Sequence, residues 1–72
     1  MITIYTSPTC HVCKELKTFL DSKKIKYTDK EVTNPANAKK AIAISGGMSV
    51  PVTVIGKKVM VGFDEKELLK FL

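Results

Sequence analysis

Apolar and β-branched residues alternate over residues 1–6, Met-Ile-Thr-Ile-Tyr-Thr, and stop at Ser7 and Pro8, which predicts a strand running into a tight loop. Val12, Leu16, Phe19 and Leu20 then recur at helical spacing with Lys and Glu between them. That pattern predicts an amphipathic helix starting around the two cysteines, with Cys10 at its amino terminus. Residues 25–32 mix β-branched and aromatic side chains with charges and read as an edge strand. Asn34 followed by Pro35 is a cap and first-turn pair, and the alanine-rich stretch to Ile44 continues as a helix until Gly46 and Gly47 stop it. Two short strands, 52–55 and 59–61, flank Gly56 and Lys57, a hairpin connection with glycine where a positive φ is needed. Asp64 with Glu67 three residues on reads as a capping box, and Leu68, Leu69, Phe71 and Leu72 supply the apolar face of a last helix. The predicted order is βαβαββα. A right-handed crossover makes the first two strands parallel and the hairpin adds antiparallel ones, so the fold class is α/β, with a mixed four-stranded sheet flanked by helices.

The chain of 72 residues has length for one hydrophobic core, and no linker, repeat or low-complexity segment divides it, so residues 1–72 are expected to form a single domain. At 44% hydrophobic and 26% charged residues it is too apolar for intrinsic disorder and too evenly mixed for a membrane protein. No apolar run reaches the roughly 18 residues of a membrane span, and the chain opens as a strand rather than a signal peptide, which leads to the expectation of a cytoplasmic protein. The net charge of +5 comes from lysine alone, in small groups such as Lys23, Lys24 and Lys26, then Lys39 and Lys40, then Lys57 and Lys58. Neither arginine forks nor aromatic rings accompany them, so they read as a solvated surface that could steer an acidic partner, and no nucleic-acid site is expected.

Cys10 and Cys13 stand three positions apart, and a bridge between them closes almost no loop, so it constrains the unfolded chain little. In a reducing compartment the pair points to redox chemistry or metal binding. Thiol–disulfide exchange needs a thiolate that attacks and a second thiol that releases the mixed disulfide, and Cys-His-Val-Cys supplies both. At a helix start the free N–H groups favour a thiolate, which predicts a lowered thiol pKa for Cys10 as nucleophile and a more shielded Cys13 as resolving thiol. His11 is expected to act on the thiolate electrostatically or to face solvent, since neighbouring helix positions diverge and spacing assigns no Asn or Asp partner for a hydrolase. Zinc is the alternative, yet the motif is half a tetrahedral site, so zinc or an iron–sulfur cluster would have to be shared across a dimer; no residue is assigned as a metal ligand. Pro51 lies where the hairpin begins, and by propensity alone its peptide bond is an ordinary trans one.

Together, Cys-x-x-Cys at the first helix, Ser49-Val50-Pro51 before the hairpin and Gly62-Phe63-Asp64 before the last helix resemble the glutaredoxin-type branch of the thioredoxin fold over the whole length. The absence of Trp and the short chain set it apart from a thioredoxin proper. The resemblance implies a dithiol–disulfide oxidoreductase that reduces protein disulfides, with Cys10 exposed, Cys13 buried and a cis Val50-Pro51 bond facing them. A cis bond there would offer the backbone of Val50 to an extended ligand. Substrate contacts are then expected from Thr9, His11, Val12, Val50, Pro51, Gly62, Phe63 and Asp64. It further implies a monomer with no tightly bound cofactor beyond the redox-active cysteine pair. Within the family, glutathione-using members carry Cys-Pro-Tyr-Cys, a lysine three residues before the first cysteine and a Gly-Gly turn; here Ser7, His11-Val12 and Phe63 occupy those places. The Gly62-Phe63 pair is more similar to NrdH-redoxins, which take electrons from thioredoxin reductase and serve ribonucleotide reductase, though Asp64-Glu65-Lys66 stands where Arg-Pro-Asp often follows. Thioredoxin reductase is therefore the expected reductant, and glutathione the alternative.

Overall fold

The strands β1 (Ile2–Thr6), β2 (Thr28–Glu31), β3 (Val52–Ile55) and β4 (Lys58–Val61) alternate with the helices α1 (His11–Ser22), α2 (Pro35–Ser45) and α3 (Glu65–Lys70) in the order βαβαββα. A computed structural model describes residues 2–47 and 49–71, so the parts of the sequence reading that fall on Met1 and Leu72 lie outside the described residues. The strand order is β2-β1-β3-β4, with β1 parallel to β2 and antiparallel to β3, and β3 antiparallel to β4. The mixed four-stranded sheet is therefore the one expected, with β1 inside it and β2 at an edge.

Alternation along the strands divides the core between the two faces of the sheet. Ile2 and Ile4 pack with Leu16 and Leu20 of α1 and Leu68 of α3 on one face, joined by Phe19, Ile55, Met60 and Phe63. Tyr5 and Val52 pack with Ala41 of α2 on the other. Leucines buried to this extent are each worth about 1.5–3 kcal/mol in water-to-core transfer, which anchors α1 to the sheet at its middle and far turns.

Local chemistry sets the helix ends. Asn34 accepts a hydrogen bond from Ala36 N–H at 2.9 Å, Pro35 takes the first turn, and Gly46 ends α2 in the left-handed region at φ 82°. Helix α1 ends without a glycine. Lys24 N–H donates to Asp21 O and Ile25 N–H to Leu20 O, both at 3.0 Å, the paired bonds of a Schellman motif. That motif puts Lys24 at φ 57° and drops Ile25 onto the core beside Leu20. A side chain in this conformation costs about 1–2 kcal/mol, so Lys24→Gly is expected to stabilise the protein by about 1 kcal/mol and raise its thermal midpoint by several degrees; a melting curve checks it.

Four readings of the sequence need correction. The second strand occupies only Thr28–Glu31, because Ile25 and Tyr27 reach the core from the loop that follows the Schellman turn rather than from the sheet. Val12 does not belong to the buried face of α1 and is 41% exposed; the stripe is Cys13, Leu16 and Leu20. Only half of a capping box forms at α3: Asp64 accepts from the N–H groups of Lys66 and Glu67, while Glu67 turns to Lys70 at 3.2 Å instead of reaching back. Leu69, read as part of the apolar face of α3, is half exposed, and Leu68 alone of that pair enters the core.

Candidate active site

Strand β1 delivers the chain to a turn in which Cys10 N–H donates to Ser7 O at 3.1 Å, with the Ser7 and Thr9 hydroxyls 3.2 Å apart. The turn leaves Cys10 extended, at φ −92° and ψ 113°, as the N-cap of α1. Its Sγ takes the place usually held by a Ser or Asp oxygen, accepting a hydrogen bond from Cys13 N–H at 3.2 Å. A sulfur in this position faces a backbone donor and the positive end of the helix, both of which suit a negative charge. Both cysteines are free thiols, Cys10 partly open to solvent and Cys13 buried. Burial, reinforced by the contact with Cys10, pushes the Cys13 thiol up to about 11; the backbone near Ser7 and the Lys17 ammonium oppose that rise only in part.

Register explains what surrounds the pair. Tyr5 lies opposite Val52 and Val52 opposite Val61, so the end of β1, the start of β3 and the end of β4 share one end of the sheet. The Val50–Pro51 bond is cis, as the resemblance implied, and Pro51 is buried there. Pro51 O accepts a hydrogen bond from Gly62 N–H at 2.8 Å, which ties the loop before β3 to the loop after β4. Gly62 has φ 86°, a conformation that suits glycine, and a Cβ there would meet nothing within 4 Å, so backbone shape rather than crowding explains the residue.

Phe63 turns back onto Phe19 of α1, ring centroids 5.6 Å apart at 60°, an edge-biased contact. Both rings line an open groove of about 520 Å³ beside α1, together with His11, Lys14 and Glu65. Of the residues named as substrate contacts, His11 and Phe63 thus meet in this groove, while Pro51 and Gly62 meet through a backbone bond. Thr9 and Val12 are exposed beside the cysteines. The Asp64 carboxylate is occupied as the cap of α3.

One constellation has no counterpart in the sequence reading. The Thr6 hydroxyl donates to Asp29 Oδ1 at 2.6 Å, and Asp29 Oδ2 pairs with Lys17 Nζ at 2.6 Å. These residues come from β1, β2 and α1, and no spacing rule joins them. Asp29 within a strand of four polar and charged residues was the one available sign. Among the described residues no group of three or more His, Cys, Asp or Glu side chains is placed to hold a metal ion, and no helix is long and apolar enough to cross a membrane.

The sequence model of the family described as Glutaredoxin matches residues 2–60. A glutaredoxin-like 8.6 kDa protein in the rubredoxin operon of Clostridium pasteurianum is 36% identical over 73 residues, a match covering 100% of this chain and 97% of that protein. Among solved structures, a glutaredoxin from Archaeoglobus fulgidus superposes with a TM-score of 0.87 at 28% identity, covering 97% of this chain and 83% of that one. The NrdH-redoxin of Escherichia coli, a glutaredoxin-like protein, superposes with a TM-score of 0.84 over 99% of this chain and 93% of its own, and at 24% identity it shares the fold.

Proposed function

The chain belongs to the glutaredoxin family of the thioredoxin fold, and from that premise we propose that it reduces protein disulfides with Cys10 as nucleophile and Cys13 as resolving thiol. The observation that carries the reading is the hydrogen bond from Cys13 N–H to the partly open Cys10 Sγ at a helix start, with the second sulfur buried. The Cys10 thiolate attacks one sulfur of the substrate disulfide, expelling the other as a thiolate and leaving a mixed disulfide. Cys13 then loses its proton to solvent and attacks Cys10 Sγ. The Cys10–Cys13 bond forms, the mixed disulfide breaks, and the substrate leaves as a dithiol. Thr9, Val12, the backbone of Val50 and Pro51, Gly62 and the His11–Phe63 groove form the surface that receives the substrate in this reading.

Electrons return from a thioredoxin-reductase-type flavoenzyme rather than from glutathione. Glutathione carries a carboxylate at each end and is best met by a fixed cation before the first cysteine and an open glycine turn. Ser7 supplies no charge, and Phe63, packed on Phe19, fills the place of the second glycine. The disulfide of a ribonucleotide reductase is the protein substrate that the NrdH-like branch names, and such a role belongs in the reducing cytoplasm.

Paired assays test both levels of the proposal. Oxidised protein is supplied with NADPH and thioredoxin reductase in one, and with NADPH, glutathione and glutathione reductase in the other. Faster turnover in the first is expected. Turnover confined to the second overturns the choice of donor, and turnover in neither overturns the redox reading.

A further inference from the structure

Resolution asks a buried thiol to ionise, and Cys13 is 1% exposed, so the question is which charge helps it. Lys17 follows Cys13 by four residues, one helical turn along the same face of α1. From there its ammonium favours ionisation of the Cys13 thiol. Lys17 is not free to wander. Asp29 holds Nζ at 2.6 Å, and the second oxygen of Asp29 is fixed by the hydroxyl of Thr6, a residue with no solvent exposure. The hydrogen bond from Lys17 to Asp29 raises the lysine's affinity for its proton.

An ion pair between side chains that keep 31% and 26% of their exposure contributes little to stability by itself, which leaves placement as its distinctive property. The other ionisable groups near it are few. Cys10 faces Cys13 from the helix cap; Glu31 and Tyr27 face Lys17 from β2 and the segment before it; Asp21 stands beyond Tyr27. From β1 and α3, the groups packed on this face of α1 are Ile2, Ile4 and Leu68, which are apolar.

Resting on the reading of Cys13 as resolving thiol, we propose that Lys17 is the cation that supports the Cys13 thiolate during release of the mixed disulfide, and that Asp29, anchored by Thr6, holds Lys17 in place and offsets part of its charge. In the step concerned the Cys13 thiol gives its proton to solvent, its sulfur bonds to Cys10 Sγ, and the substrate sulfur leaves with the electron pair of the broken bond and is protonated by solvent. Lys17 keeps its own proton throughout. Lys17 and Asp29 are positioning residues and exchange no atom with the substrate.

The two halves of the pair have opposite signs, and this separates an electrostatic role from a structural one. Reduced protein is mixed in stopped flow with dithiobis(nitrobenzoate), whose thiol product is coloured. Attack by Cys10 releases the first equivalent, and resolution by Cys13 releases the second as an intramolecular step, followed across pH. Lys17→Met should move the midpoint of the second release upward by about half a pH unit or more, and Asp29→Asn, whose amide can still accept from Lys17 Nζ and donate to the Thr6 hydroxyl while losing the negative charge, should move it downward. Lys17→Arg should keep the original midpoint, and Lys17→Gln provides a second neutral variant should the methionine one fold poorly. Two equivalents with midpoints unmoved, or moved in one direction by both variants, overturn the role of Lys17 while leaving the exchange reaction standing. Release of one equivalent by the unaltered protein overturns the resolving role of Cys13 and this proposal with it.

Discussion

Cys13→Ser protein is expected to be found covalently joined to its substrate, while Cys10→Ser protein is expected to fall to the background rate and trap nothing. The asymmetry follows from access. Cys10 sits at the surface with its sulfur at the head of α1, whereas Cys13 is sealed beneath it with a thiol pushed up to about 11. Attack from outside can therefore reach only the first sulfur, and a serine at position 13 cannot displace the mixed disulfide that results. Mass spectrometry of the product after a single turnover reads the adduct directly. Alkylation at neutral pH supplies the complementary reading: Cys10 should take the label and Cys13 should be spared. Labelling of Cys13 ahead of Cys10 would reverse the two assignments.

A second large effect is expected in the stability of the reduced protein at alkaline pH. Folding raises the Cys13 thiol from an ordinary 9.0 to about 11, mainly through burial. Below the ordinary value the thiol is protonated whether the chain is folded or not, and pH has no leverage through this group. Between the two values the unfolded chain releases the proton and the folded chain must keep it, so stability falls by about 1.4 kcal/mol per pH unit. The total loss approaches about 2–3 kcal/mol as the pH nears about 11, a large fraction of the stability of a domain this small. Tyr27 also titrates high in the folded protein, through burial and the nearby Asp21 carboxylate, and lies outside the cysteine pair whose oxidation the comparison changes. The measurement is thus a difference, urea midpoints of reduced minus oxidised protein from about pH 8 upward, because the disulfide has no thiol to titrate. A constant difference across that range would mean that the Cys13 thiol is not held protonated by the fold.

Features that depend on adjacent residues were legible in the sequence. Asn34, Pro35 and Gly46 bound α2 because a cap, a first-turn proline and a left-handed stop each act within a few residues of themselves. Cys10 at the head of α1 was readable for the same reason. Residues 12, 16, 19 and 20 satisfy helical spacing nearly as well as the true stripe, in which Cys13 takes the place of Val12 because a buried thiol packs as a small hydrophobe. The length of β2 misled because Ile25 and Tyr27 alternate like strand residues while serving a loop that leans on the core. Of the Thr6–Asp29–Lys17 arrangement the sequence offers only the polar character of β2, not the partners. The arrangement arises from the parallel register that sets Ile4 against Asp29 and Thr6 against Glu31, a long-range fact that no local pattern encodes.

The position of β1 inside the sheet also shapes the order in which a nascent chain can complete itself. Its first neighbour, β2, ends at Glu31, so both strands of the parallel pair are made before β3. Its second neighbour, β3, ends at Ile55, which is 55 − 31 = 24 residues later. At a ribosomal rate of about 5–20 residues per second, the other edge of β1 waits about 1–5 s for its partner. Throughout that interval Ile2, Ile4 and Tyr5 present an unpaired, strongly apolar strand edge, whereas the permanent edge at β2 is made of Thr28, Asp29, Lys30 and Glu31 and resists sheet-to-sheet association. During that interval the exposure to aggregation at β1 is the greater of the two.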